Sequence, residues 1–108
     1  MISVVFYKDA SGDIKGFDCS GHAGFARRGE DIICAAFSMM VINTVNSLEA
    51  LTDTVFDCDQ DEKAGRISVR LRELDEAGRV LISSMILGID SMKKEYSEKY
   101  ITTAVRQV

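Results

Sequence analysis

The chain holds one histidine, His22, and twelve positions after it comes Cys34, one of three cysteines. A thiol with an imidazole beside it is the smallest set that makes a nucleophile with its own base. Between the two runs Ala23-Gly24-Phe25-Ala26-Arg27-Arg28-Gly29-Glu30, and Gly21 and Ala23 flank the histidine. Such small neighbours do not pack an imidazole away, and glycine lets the backbone bend sharply. A loop that leaves a strand at Gly21 and enters a helix near Asp31 keeps its ends close, which makes His22 and Cys34 candidates to meet.

Each of these residues also has a plainer reading. With Asp31 as helix cap, Cys34 falls in the first turn, where unpaired N–H groups and the macrodipole favour a thiolate. The N–H groups near Ile33 to Ala35 would then be open to a tetrahedral oxyanion. Free cysteine is equally a common packing residue, and a loop histidine is commonly solvated. Asp31 can cap the helix, worth about 1 kcal/mol, or orient His22 as third member of a nucleophile–base–orienter set. Ser38, one turn beyond Cys34, either hydrogen-bonds in the site or back-bonds to its own helix. Arg27 and Arg28 make a basic loop tip, solvated or available to an acidic or RNA-bearing partner.

Cys19 and Cys58 fall in expected strands and read as packing residues. With His22 and Cys34 they could make a Cys₃His zinc set, but no CxxC pair supports one. The same absence argues against thioredoxin-type redox chemistry. There is no phosphate-binding GxxxxGK[ST] and no dinucleotide fingerprint. No metal and no cofactor is expected.

The elements that must position this pair follow from periodicity. Ile2 to Tyr7 and Ile14 to Ser20 read as a hairpin around the turn Asp9-Ala10-Ser11-Gly12-Asp13. Residues from about Asp31 to Leu51 are helical, and the first half, with Ile32, Ile33, Ala35, Ala36, Phe37, Met39 and Met40, shows almost no polar face. That predicts a first helix buried on most sides at the centre of the fold. Thr54 to Asp59 and Arg66 to Glu73 form a second hairpin. In its second strand Arg66, Ser68, Arg70 and Arg72 alternate with Ile67, Val69 and Leu71, the pattern of a sheet with one wet face. A second helix spans about Ala77 to Tyr96, and Ile101 to Val108 is a final strand. The order ββαββαβ, with strands arriving as hairpins packed on two helices, predicts an α+β fold in one domain over residues 1–108.

The 108 residues are 46% hydrophobic and 28% charged with a net charge of −4, ordinary for a globular domain and unsuited to nucleic-acid binding through the overall field. Direct nucleic-acid binding is not expected. The start of the chain lacks the basic region and cleavage site of a signal peptide, and no apolar run reaches the ~18 residues of a spanning helix. With an odd cysteine count and no framework spacing, a reduced cytoplasmic setting off the membrane is expected.

The blocks Gly21-His22-Ala23-Gly24-Phe25-Ala26, Gly29-Glu30-Asp31-Ile32-Ile33-Cys34-Ala35-Ala36-Phe37-Ser38, and Asn43-Thr44 with Asn46-Ser47-Leu48-Glu49 resemble the ribosomal-processing cysteine protease Prp family. The likeness spans essentially the whole chain, including its length and element order. It implies a Cys-His dyad, with Cys34 as nucleophile and His22 as base, Asp31 supporting them and Ser38 lining the site. It implies a substrate loop of Gly21, Ala23, Gly24, Arg27, Arg28 and Gly29 that rearranges around the substrate. It further implies a homodimer, and removal of the N-terminal extension from the precursor of bacterial large-subunit ribosomal protein twenty-seven. The rival from another class is a non-enzymatic ribosome-associated factor that binds through Arg27-Arg28 and the Arg66, Arg70, Arg72 face.

Overall fold

Apolar residues at every second position sort the strands into a covered face and an open one. The computed structural model describes residues 1–21, 30–61, 63–96 and 100–108. β1 (Ile2–Lys8) and β2 (Ile14–Ser20) form an antiparallel hairpin. Asp9 closes it by accepting the N–H groups of Ser11 and Asp13. α1 (Glu30–Leu51), the hairpin β3 (Val55–Asp61) and β4 (Arg66–Glu73), α2 (Glu76–Tyr96) and β5 (Ile101–Gln107) follow. The predicted order ββαββαβ and the α+β class are those observed.

The five strands make one sheet in the order β3-β4-β2-β1-β5. β2 pairs antiparallel with both β1 and β4, whereas β5 lies parallel to β1 with Ile2 opposite Ile101. Both helices are thus crossovers that return the chain to the same end of the sheet with other strands between. Ile2, Val4 and Phe6 of β1, Phe17 and Cys19 of β2, and Ile67, Val69 and Leu71 of β4 face the helices and are buried. Phe37, Val41 and Leu48 of α1 and Ile82, Met85 and Ile89 of α2 complete that core. Each such side chain stabilises the fold by about 1.5–3 kcal/mol relative to exposure.

The first helix is not buried on most sides. α1 buries one stripe, Ile33, Phe37, Val41, Thr44 and Leu48, while Ile32, Met39 and Leu51 stand exposed at 71%, 66% and 74%. Only one face of the sheet carries helices, and α1 shares it with α2, where Met40 meets Gly88 so closely that a Cβ there would lie 2.5 Å from the Met40 sulfur. Two helices side by side on one sheet leave each a solvent face, whatever its composition. By length and hydropathy Ile32–Leu51 also suits a membrane span, but its buried stripe is the sheet's own core.

On the open face, the expected basic patch is charge-balanced. Across β3 and β4, Arg70 stands opposite Asp57 and Arg66 opposite Asp61, and Arg72 pairs with Asp57 at 3.2 Å. Arg70 also reaches Asp18 at 2.8 Å and lies 4.6 Å from the centre of the Tyr7 ring. Tyr7 Oη and Ser68 Oγ each donate to Asp18 at 2.6 Å. The Arg70 hydrogen bond, then those of Ser68 and Tyr7, hold the Asp18 carboxyl well below the usual carboxylate range against the opposing effect of burial. Because its folded pKa is depressed, the stability it contributes is present above its unfolded value near ~3.9 and is lost as pH falls through the folded one. Asp18→Asn should therefore cost about 1–2 kcal/mol at neutral pH and flatten the acid limb of stability. Urea midpoints measured from neutral pH to about pH 2 check this; an unchanged acid limb refutes it.

Candidate functional site

One end of the sheet gathers the residues of interest. β2 ends at Ser20, and Gly21 follows with φ 84°, donating its N–H to Gly65 O at 3.0 Å. A Cβ on Gly21 would lie 2.1 Å from the Met1 carbonyl oxygen, so only glycine fits where the chain leaves the sheet. β1 and β5 both begin at this same end, tied by the Ile2 N–H donating to Tyr100 O at 2.8 Å. α1 starts here too, and Cys34 stands near its beginning, half-buried. A crevice of about 10 Å³ opens beside it, lined by Met1, Ile2, Ile33, Cys34 and Tyr100. That is room for about one water.

Of the sequence-predicted residues, His22, Ala23, Gly24, Arg27, Arg28 and Gly29 lie outside the described residues. Gly21 is at the end of β2, and Ser38 is half-buried one turn beyond Cys34. Asp31 is inside the first turn of α1, because the helix begins at Glu30, two residues earlier than the Ile32 start that an Asp31 cap requires. This moves Cys34 past the first turn. The i→i−4 ladder of a helix starting at Glu30 takes up the N–H groups of Cys34 and Ala35, so the unpaired donors lie on the residues before Ile33. The expectation that the N–H groups of Ile33 through Ala35 are open to an anion is therefore not met, since the helix takes them up and leaves those of Glu30, Asp31 and Ile32. The end-on dipole still favours negative charge nearby, though it weakens beyond the first turn.

Met1, Ile2 and Tyr100 were missed by sequence reasoning. They reach Cys34 only through the parallel pairing of β1 with β5, which joins the two ends of the chain and has no signature in local spacing. Among the described residues no group of three or more His, Cys, Asp and Glu could hold a metal.

The chain matches the sequence model of a family described as Cysteine protease Prp over residues 1–102. It is 28% identical over 108 residues to a Bacillus subtilis protein named ribosomal processing cysteine protease Prp, covering 95% of this chain and 96% of that one. The crystal structure of SMU.848 from Streptococcus mutans superposes with a TM-score of 0.87 at 29% identity, covering 100% of this chain and 99% of the other. The fold is also that of an essential ribosomal processing protease Prp from Staphylococcus aureus, solved with a substrate peptide. There the TM-score is 0.88 at 24% identity, over 98% of this chain and 100% of that one.

The three thiols sit in three different environments. Cys19 is wholly buried between β1 and β4, and burial, helped by the Asp18 charge, pushes its pKa up to about 12. Cys58 is exposed on β3, yet partial desolvation and then the Asp59 charge raise it as well. Cys34 alone borders the crevice. Relative to an ordinary thiol, Cys19 should hold about a thousandfold less thiolate. Peptide mapping after iodoacetamide treatment of the folded protein should find Cys19 unmodified and Cys58 alkylated more slowly than an unstructured thiol. Modification of Cys19 before unfolding would contradict this placement.

Proposed function

The chain belongs to the cysteine protease Prp family, and from that membership we propose that Cys34 is its nucleophile and His22 its general base and acid. The supporting observation is the placement of Cys34. Of the three cysteines it is the one that lines the crevice, near the start of the helix α1. The Cys34 thiolate attacks the scissile carbonyl carbon, and the oxyanion that forms faces the free N–H groups of the first turn of α1. His22 protonates the leaving amine as the C–N bond breaks, which leaves a thioester on Cys34. It then takes a proton from water, whose oxygen attacks the thioester and restores the thiol.

Asp31 orients the imidazole and Ser38 lines the site, while the segment Gly21, Ala23, Gly24, Arg27, Arg28 and Gly29 closes over the substrate. The substrate is the N-terminal extension of the precursor of bacterial large-subunit ribosomal protein twenty-seven. The name of the B. subtilis relative, ribosomal processing cysteine protease, supports this. The enzyme needs no cofactor and works in the cytoplasm. The non-enzymatic ribosome-binding alternative loses one of its two basic features, since Arg66, Arg70 and Arg72 face aspartates across the sheet.

The proposal includes a homodimer. Between Asp31 and Glu49, α1 carries no charged residue, and Ile32 and Met39 are exposed on it. Two chains each of net charge −4 repel at most of their surface, so an uncharged helix face is where they can meet.

Cys34→Ala and His22→Ala should each lower cleavage of a peptide spanning the precursor junction by at least about a thousandfold and leave the circular dichroism unchanged. Full cleavage by folded Cys34→Ala would sink the proposed site. Met39→Glu should convert a dimer to a monomer in sedimentation equilibrium. A wild-type chain that is monomeric at micromolar concentration counts against the dimer.

A further inference from the structure

The sheet has two edges, β3 and β5, and they are built differently. An edge strand presents unpaired N–H and C=O groups that invite another strand unless charge, proline or a bulge deters it. β3 carries aspartate at 57, 59 and 61 and a bulge between Val55 and Phe56. β5 reads Ile-Thr-Thr-Ala-Val-Arg-Gln, rich in strand-forming residues, with one charge and no proline. Val105 on it is 60% exposed.

The ladder fixes which backbone groups of β5 are open. Ile2 N–H donates to Tyr100 O and Val108 N–H donates to Lys8 O, each at 2.8 Å. In a parallel pair, alternate residues turn both backbone groups toward the neighbour. The even-numbered residues from Tyr100 to Val108 therefore face β1. Ile101, Thr103, Val105 and Gln107 aim theirs outward, and no described strand pairs with them. α2 touches the covered face of β5, where Lys93 Nζ donates to Thr103 Oγ1 at 2.9 Å, and leaves that edge open among the described residues.

Position turns the open edge into a functional one. β5 begins at the crevice, since Tyr100 and Ile2 border it together with Cys34. We propose that an extended segment of the substrate docks on the outer edge of β5 as a sixth strand, which delivers the scissile bond to Cys34. This rests on the reading of Cys34 as nucleophile. A peptide bond is reachable by a thiolate only in an extended, unfolded stretch, and strand addition holds such a stretch through main-chain hydrogen bonds. Seven residues at about 3.3 Å each give β5 a docking length of roughly 23 Å. Peptides with fewer than about four residues on the docked side of the junction should be poor substrates.

Two measurements test the edge with a peptide spanning the precursor junction. Val105→Pro removes one outward N–H and leaves the ladder to β1 intact, a placement that edge strands tolerate. It should lower kcat/KM at least tenfold, mainly through KM, while iodoacetamide alkylates Cys34 at the wild-type rate. Independently of that variant, N-methylation of successive peptide amides, two or more residues from the junction, should slow cleavage by wild type at every second position. Wild-type kinetics in Val105→Pro together with no alternation overturn the proposal. So does a change in oligomeric mass caused by Val105→Pro, which would give the edge to a second copy of the chain. If wild type leaves the peptide uncut, the proposed substrate fails first, and the docking inference falls with it.

Discussion

Gly21 and Gly65 meet where three strands end or begin. The N–H of Gly21 donates to Gly65 O, and both residues hold positive φ, at 84° and 63°. Met1 packs so tightly against Gly21 that any side chain there would collide with backbone rather than with a movable group. This junction fixes the end of β2 and the start of β4 against the start of β1, and β5 then joins β1 through the Ile2–Tyr100 bond. The crevice beside Cys34 is made from those strand starts. A substitution at Gly21 would thus disturb the crevice walls.

The opposite end of the sheet is held by side chains instead of glycines. Asp75 precedes α2 and accepts the Gly78 N–H at 2.9 Å, as a helix cap does. The same carboxylate accepts from Thr54 Oγ1 at 2.7 Å and from the Asp53 N–H at 2.9 Å. One aspartate therefore ties the start of α2 to the segment that leaves α1. Thr52 Oγ1 donates to Leu48 O and accepts from the Thr54 N–H, which finishes α1 in the same knot. The helix bearing Cys34 is clamped at its far end, and its near end rests on the packing of Ile33 and Phe37.

Strand alternation was legible because a one-sided sheet prints its pattern directly on the sequence. Arg66 to Glu73 shows it, and the buried positions of β4 are Ile67, Val69 and Leu71, as read. The burial of α1 was not legible. Ile32, Ala35, Ala36 and Met39 look like core by composition, but composition does not say how many layers cover a helix. The start of α1 at Glu30, where an Asp31 cap would start it at Ile32, changes which N–H groups are unpaired, a two-residue difference that capping preferences do not resolve. His22 was singled out by its flanking residues and by the family motif; its loop lies outside the described residues, so the meeting of thiol and imidazole rests on that motif. Tyr100 had no local signal at all, since its neighbours in space come from the other end of the chain.

A crevice of about 10 Å³ beside Cys34 sets a limit on what it can recognise by shape. A deep side-chain pocket gains selectivity from apolar area and shape, and roughly 300 Å³ or more is usual for such a site. The crevice that Cys34 lines is far smaller than that. The larger hollows, of about 430 Å³ beside Glu49 and Phe56 and about 270 Å³ beside Arg79 and Ile82, lie toward the Asp75 end of the sheet. An extended segment laid at Cys34 would gain little from that crevice and most from main-chain bonds along its length. With main-chain bonds as the source of affinity, the length of extended contact, more than the fit of one side chain, would set selectivity there.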